Sequence, residues 1–225
     1  MVIFKKLGIR TFAFVFILVM LIITLYSFWK LDIVSFHLFV ISSIMSAAFI
    51  LINIVDRFRQ MESEGAKLCR QGDELFKKGE INGAATRYKE AVIYCKNCYK
   101  AHLGLGHCYR IQENWDLAVE SFKQAYNIET GSAISHYYAG VSHQKAGRTK
   151  EAVFEIQQAI KLNSDLLEAY LTAGDIYKSI GDDDEAISMY NKFIENNLDE
   201  ESNSVVQEKL DLVKKIKTSK SDNSD

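Results

Sequence analysis

Proline is absent from all 225 residues. Helix ends must therefore be set by other residues, and no proline kink can interrupt a helix. Glycine is missing as well between Leu31 and Glu64. That double absence predicts a helix running on through Asp56-Arg57-Phe58-Arg59. A strong charge of either sign is also missing: the net charge is −2, which supplies no basic field to hold nucleic acid. Cysteine is scarce, at four residues. Cys95 and Cys98 have the two-residue gap of a metal-binding pair, with His102 a turn beyond, but no second pair at matching spacing follows. The cysteines therefore read as small buried residues, and a zinc- or thiol-responsive sensor is the lesser alternative. No nucleophile–base pairing, phosphate-cradling loop or paired catalytic carboxylate emerges, so no catalytic residue, metal or cofactor is expected. Asp182-Asp183-Asp184-Glu185 lacks the ligand spacing of a calcium loop and reads as a helix start favoured by the helix dipole.

Charge is missing altogether from two runs, Thr11–Trp29 and Ile33–Val55. Each is long enough to cross a hydrocarbon core as a helix. The link Lys30-Leu31-Asp32 is short enough for a tight antiparallel hairpin. The length of the first run, the lack of a cleavage site and the second run close behind argue against a cleaved signal. Tyr26, Phe28 and Trp29 cluster at one end, as interfacial aromatics do. Lys5, Lys6 and Arg10 precede the first run, and Arg57, Arg59, Lys67 and Arg70 follow the second, which predicts both termini on the cytoplasmic side. The runs contain no acid or arginine, so they offer no transport path. Ser42 and Ser46, and Ser43 and Ala47, give small-xxx-small spacing for packing within the hairpin or between copies.

Beyond residue 64 the material changes. Gly72, Gly106, Gly140 and Gly174 recur every 34 residues, in phase with Ala84, Ala118, Ala152 and Ala186. Tyr88, Phe122, Ile156 and Tyr190 keep the same step. So do Leu75, Tyr109, His143 and Tyr177, and Ala91, Ala125 and Ala159 with Phe193. Such a period marks stacked units that cannot bury their apolar faces alone. The small residues allow close helix approach while the large ones fill the neighbouring gap. Gly79, Gly147 and Gly181 sit where a first helix would end in the left-handed conformation, with Glu113-Asn114 in the second unit, where asparagine is expected to take that role.

These marks resemble the tetratricopeptide repeat: Leu105-Gly106-His107-Cys108-Tyr109 followed by Ala118, Phe122 and Ala125, and Ala173-Gly174 with Tyr177, Gly181, Ala186 and Tyr190. The resemblance covers about 65–200 and implies an all-α helical-hairpin solenoid. Its usual junction proline is replaced here, where Asn97, Asn127, Asn163 and Asn196-Asn197 lie near the helix ends. It also implies that the first helices line a concave groove for a protein or peptide ligand. From the first repeat the groove would draw Arg70, Asp73 and Phe76; from the second, Lys100, Leu103, His107, Arg110 and Ile111. The third would give Ile134, Tyr137, Tyr138 and Val141, and the fourth Leu171, Asp175 and Lys178. Cys69 and Asp73 occupy positions where the chaperone-tail subclass carries its carboxylate clamp, so that ligand is disfavoured.

The expected order is a basic N-terminus (1–10), two transmembrane helices (11–29 and 33–55) and a helical connector (56–64). Four repeats follow (65–98, 99–132, 133–166, 167–200), then a capping helix (201–217) starting near Ser204, in which Val206, Leu210, Val213 and Ile216 form one stripe. Residues 218–225 are expected to be disordered. The function this predicts is a non-enzymatic adaptor at a lipid bilayer; the alternative is a scaffold that associates with copies of itself.

Overall fold

The computed structural model describes residues 18–19, 21–22, 25–26 and 33–222. Residues 18–19, 21–22 and 25–26 are helical, and α1 (Ile33–Lys77) begins the continuous part. Helices α2 (Ile81–Tyr94), α3 (Tyr99–Ile111), α4 (Trp115–Ile128) and α5 (Ala133–Lys145) follow. Then come α6 (Thr149–Leu162), α7 (Leu167–Ile180), α8 (Asp183–Asn196) and α9 (Glu200–Asp222). No strand occurs among the described residues. The chain divides into two compact units, Met1–Glu62 and Ser63–Asp225.

In the first unit the apolar part of α1 carries Leu38, Ile41, Ile44, Met45, Leu51 and Ile52 exposed. Two of its polar side chains bond back into the helix: Ser46 Oγ donates to the Ser42 carbonyl at 2.9 Å, and Asn53 Nδ2 to the Phe49 carbonyl at 2.8 Å. This is what a helix needs where no water can serve its polar atoms. His37–Lys77 is the one helical stretch among the described residues long and apolar enough to cross a membrane. The first expected span, 11–29, falls mostly outside the described residues, so the two-span hairpin has no support from the fold.

In the second unit, the last turns of α1 and then α2, α3 and α4, α5 and α6, and α7 and α8 make four antiparallel pairs. Every turn within a pair closes in one way. Glu80 N–H donates to the Leu75 carbonyl (2.9 Å), Asn114 to Tyr109 (2.8 Å), Arg148 to His143 (2.9 Å) and Asp182 to Tyr177 (3.0 Å). These wide bonds require a left-handed residue just before the donor. Gly79, Gly147 and Gly181 supply it with φ of +79°, +74° and +78°. In the second repeat Glu113 bears it, at φ +56°, and not the expected Asn114. Asn114 stands one residue further, at the N-terminal cap position of α4. An L-residue with a Cβ pays about 1 kcal/mol there, so Glu113→Gly is expected to stabilise the array by about 0.5–1 kcal/mol, read as a rise in urea midpoint. An unchanged or lower midpoint would show that the turn is not strained.

Between pairs, Asn163 and Asn197 do end α6 and α8, their side-chain oxygens accepting from Asp165 N–H (3.0 Å) and Asp199 N–H (3.2 Å). Asn97 and Asn127 do not: α2 stops at Cys95, and Asn127 lies inside α4, which stops at Glu129.

The 34-residue marks meet in space. A Cβ added to Gly72 would lie 2.7 Å from the Tyr88 ring, on Gly106 2.4 Å from Phe122, on Gly140 2.8 Å from Ile156, and on Gly174 2.5 Å from Tyr190. Each repeat thus presses a large side chain of its second helix onto the bare backbone of its first. Phe122, Ile156 and Tyr190 are fully buried.

The described residues end on α9, which covers the last pair with Val206, Leu210 and Val213, all buried in the core formed by Ala186, Tyr190 and Phe193. α9 starts at Glu200 and not near Ser204, because Asp199 Oδ2 accepts from the Ser202 N–H at 3.0 Å and caps it. It also runs to Asp222, through most of the expected disordered tail. Lys217 and Lys220 hold that end by pairing with Asp184 and Asp183 at the start of α8. The acidic run therefore does serve as a helix start, with Asp182 Oδ1 accepting from the Glu185 N–H.

Candidate peptide groove

Among first helices, α3 touches α5 and α5 touches α7, while the second helices make no comparable contacts with one another among the described residues. The first helices therefore form the inner wall of the stack. The side chains on it recur at fixed steps: Asp73, His107, Val141, Asp175 and Lys209 occupy one row, and Phe76, Arg110 and Lys178 lie on the next.

The wall is best formed between the first and second repeats. A cavity of about 260 Å³ opens there between Asp73, Phe76, Lys100, Leu103 and His107. Tyr88, which sequence spacing assigned to packing, and Gly104 complete it. The His107 ring lies 6.3 Å from Phe76, 5.3 Å from Phe122 and 4.5 Å from Tyr138, edge to face with the last two. Burial, helped by the charge of Arg110, lowers the His107 pKa from 6.5 to about 4. His107 is accordingly a neutral, aromatic part of the wall at neutral pH.

Tyr138 continues the aromatic row, 5.0 Å from Tyr137 and with the Arg110 guanidinium 5.4 Å from its ring centre. Both tyrosines are half-buried, and each also packs into a core. Tyr138 lies against Phe122 and Ala139, and Tyr137 against the C-terminal cluster together with Val141 and Leu171. Ile111 and Ile134 are exposed, at 47% and 40%, as is Arg70. Lys178 is partly exposed on α7.

Asp73 and Asp175 are anchored alike. The Tyr88 hydroxyl donates to Asp73 Oδ1 at 2.6 Å, and the Tyr190 hydroxyl to Asp175 Oδ1 at 2.7 Å. Asp175 is further engaged by Lys209 Nζ at 2.8 and 2.9 Å. Lys209 belongs to α9, which by the 34-residue step stands where a fifth first helix would. Sequence reasoning took α9 for a cap alone. The step from Asp175 to Lys209 was the available signal.

The cysteines pair differently from their spacing. Cys98 Sγ lies 3.4 Å from Cys69 Sγ, on the first helix of the preceding repeat. None of the four cysteines forms a disulfide. Burial first, then the contact with Cys98, pushes the Cys69 thiol up to about 12, and burial raises Cys108 to about 11. Thiols so held are protonated and poor metal ligands or nucleophiles. No group of three or more metal-binding side chains is assembled among the described residues.

Residues 69–133 and 167–200 each match a tetratricopeptide repeat family model. The crystal structure of MamA protein is similar over 59% of this chain and 73% of its own, at 30% identity and TM-score 0.57. YrrB, described as a TPR protein with an unusual peptide-binding site, shares the fold at TM-score 0.59 and 21% identity, over 67% of this chain and 76% of its own. Human tetratricopeptide repeat protein 13 is 26% identical over 125 residues, 55% of this chain. The chain spans only 14% of that human protein.

Proposed function

Because this chain belongs to the tetratricopeptide repeat family, we propose that it is a non-enzymatic, membrane-anchored adaptor, recruiting or organising a partner through the inner wall of its first helices. The observation that carries this is the wall itself. Half-buried aromatic side chains, exposed isoleucines and a 260 Å³ cavity stand side by side on it. Aromatic anchors beside a pocket are the usual centres of binding energy in interfaces.

The tether rests on α1 and on the apolar run before it. The exposed apolar side chains of α1 need a non-aqueous neighbour, and a bilayer satisfies that need for a stretch of this length. The charge-free run Thr11–Trp29 would add a second pass, with the basic flanks placing both termini and the repeats on the cytoplasmic side. Confinement to the bilayer raises the effective concentration of a partner already held there.

Proximity labelling from the intact chain, compared with a chain starting at residue 56, tests both parts. The intact chain is expected to label a defined set of membrane-associated proteins that the shortened chain largely loses. Identical sets from both would remove the tether from the account, and labelling of further copies alone would favour a self-associating scaffold.

A further inference from the structure

The inner wall sorts its charges unequally. Two of its three acids are already served: Asp73 accepts from Tyr88, and Asp175 from Tyr190 and Lys209, while Glu168, at the step of Lys100 and Ile134, enters no ion pair with any described residue. Its cations Arg70, Lys100, Arg110 and Lys178 enter no ion pair with any described residue. The imbalance does not reflect a basic chain, since the net charge is −2.

Arg110 is the most constrained of the four. Its Nε is shut off from solvent and has no hydrogen-bond acceptor. The guanidinium lies over Tyr138, and no carboxylate among the described residues pairs with it. A planar carboxylate accepts from a guanidinium in a way that water or a lone amide cannot match. Beside it, the cavity between Phe76, Leu103 and His107 offers apolar and aromatic walls.

Given the groove docking proposed above, we infer that its occupant is an acidic polypeptide segment. One carboxylate of that segment meets Arg110, and a neighbouring apolar side chain enters the cavity beside His107. A basic segment would be repelled by four free cations. A neutral one would leave those cations without an opposite charge.

The test pans the full-length protein, in detergent micelles, against a random peptide library and measures the selected peptides by fluorescence anisotropy. Selected sequences are expected to be rich in Asp and Glu beside an apolar residue, and to bind more weakly as salt rises. Arg110→Gln should weaken them about tenfold. Asp73→Asn keeps the oxygen that receives the Tyr88 hydroxyl but removes a negative charge, and should tighten them severalfold. Such a gain would not come from damage to the fold. Neutral or basic selected peptides, or acidic ones indifferent to Arg110→Gln, would overturn the charge assignment. If those peptides still lost binding in Tyr137→Ala/Tyr138→Ala, groove docking itself would stand. A library that yields no binder at all would remove groove docking and the acidic occupant together.

Discussion

Gly106→Ala is expected to destabilise the array by about 3 kcal/mol, although alanine is the better helix former by about 1 kcal/mol. The sign is set by packing. The added methyl would sit 2.4 Å from the Phe122 ring, and Phe122 is fully buried with nowhere to retreat. Overpacking of this kind typically costs 1–3 kcal/mol, and the overlap here is severe. In thermal unfolding the loss corresponds to a fall of roughly 10 °C for an array of this size. Gly131→Ala is the matched control, since a Cβ there meets nothing within 4 Å. It should change stability by less than about 0.5 kcal/mol. Phe122→Leu combined with Gly106→Ala should recover part of the loss, because the two positions share one contact. Equal effects of Gly106→Ala and Gly131→Ala would contradict the reading of the 34-residue glycines as close-approach sites.

The second large effect lies at the other end of the stack. Leu210 is 2% exposed between α9 and the Tyr190–Phe193 face of α8, while Leu212, two residues on, is 49% exposed. Leu210→Asp would put an unpaired carboxylate into that seam at a cost of about 4 kcal/mol. Leu212→Asp should be nearly neutral. Solenoid stability is a sum of units and their interfaces, so the damage should begin in the last repeat. Hydrogen exchange should show α7 to α9 losing protection before α3 to α6 in Leu210→Asp. Uniform loss across the array would mean that α9 is not a local cap, and no loss would mean that it is not packed as described.

The two halves of the chain were legible to different degrees. The array could be read because one physical need, a bare backbone under a large side chain, recurs at each repeat and leaves Gly106 and Phe122 at fixed distances in sequence. The family matches stop at 133 and resume at 167. Between them Ile156 replaces the aromatic, yet the geometry around Gly140 is unchanged. Turn chemistry was only partly readable. Glu113 takes a conformation that its residue type does not advertise, imposed by the bond from Asn114 to Tyr109. The groove residues could be numbered from the repeat phase, but their partners could not. The Tyr88–Asp73 bond, the Lys209–Asp175 pair and the Cys69–Cys98 contact each join residues 15 to 34 positions apart on different helices. No local pattern encodes such pairings; helix packing decides them. The length of α9 was misjudged for the same reason, since polar residues from 218 onward look disordered until Asp183 and Asp184 are seen opposite Lys220 and Lys217.

Photo-crosslinking in cells tests the central claim most directly. A benzophenone side chain at exposed Ile111, on the inner wall, is compared with one at Phe154, 57% exposed on a second helix. Adducts to a distinct polypeptide from position 111, with none from position 154, are predicted. Equal yields from both positions, or adducts from 154 alone, would contradict a partner held by the first helices.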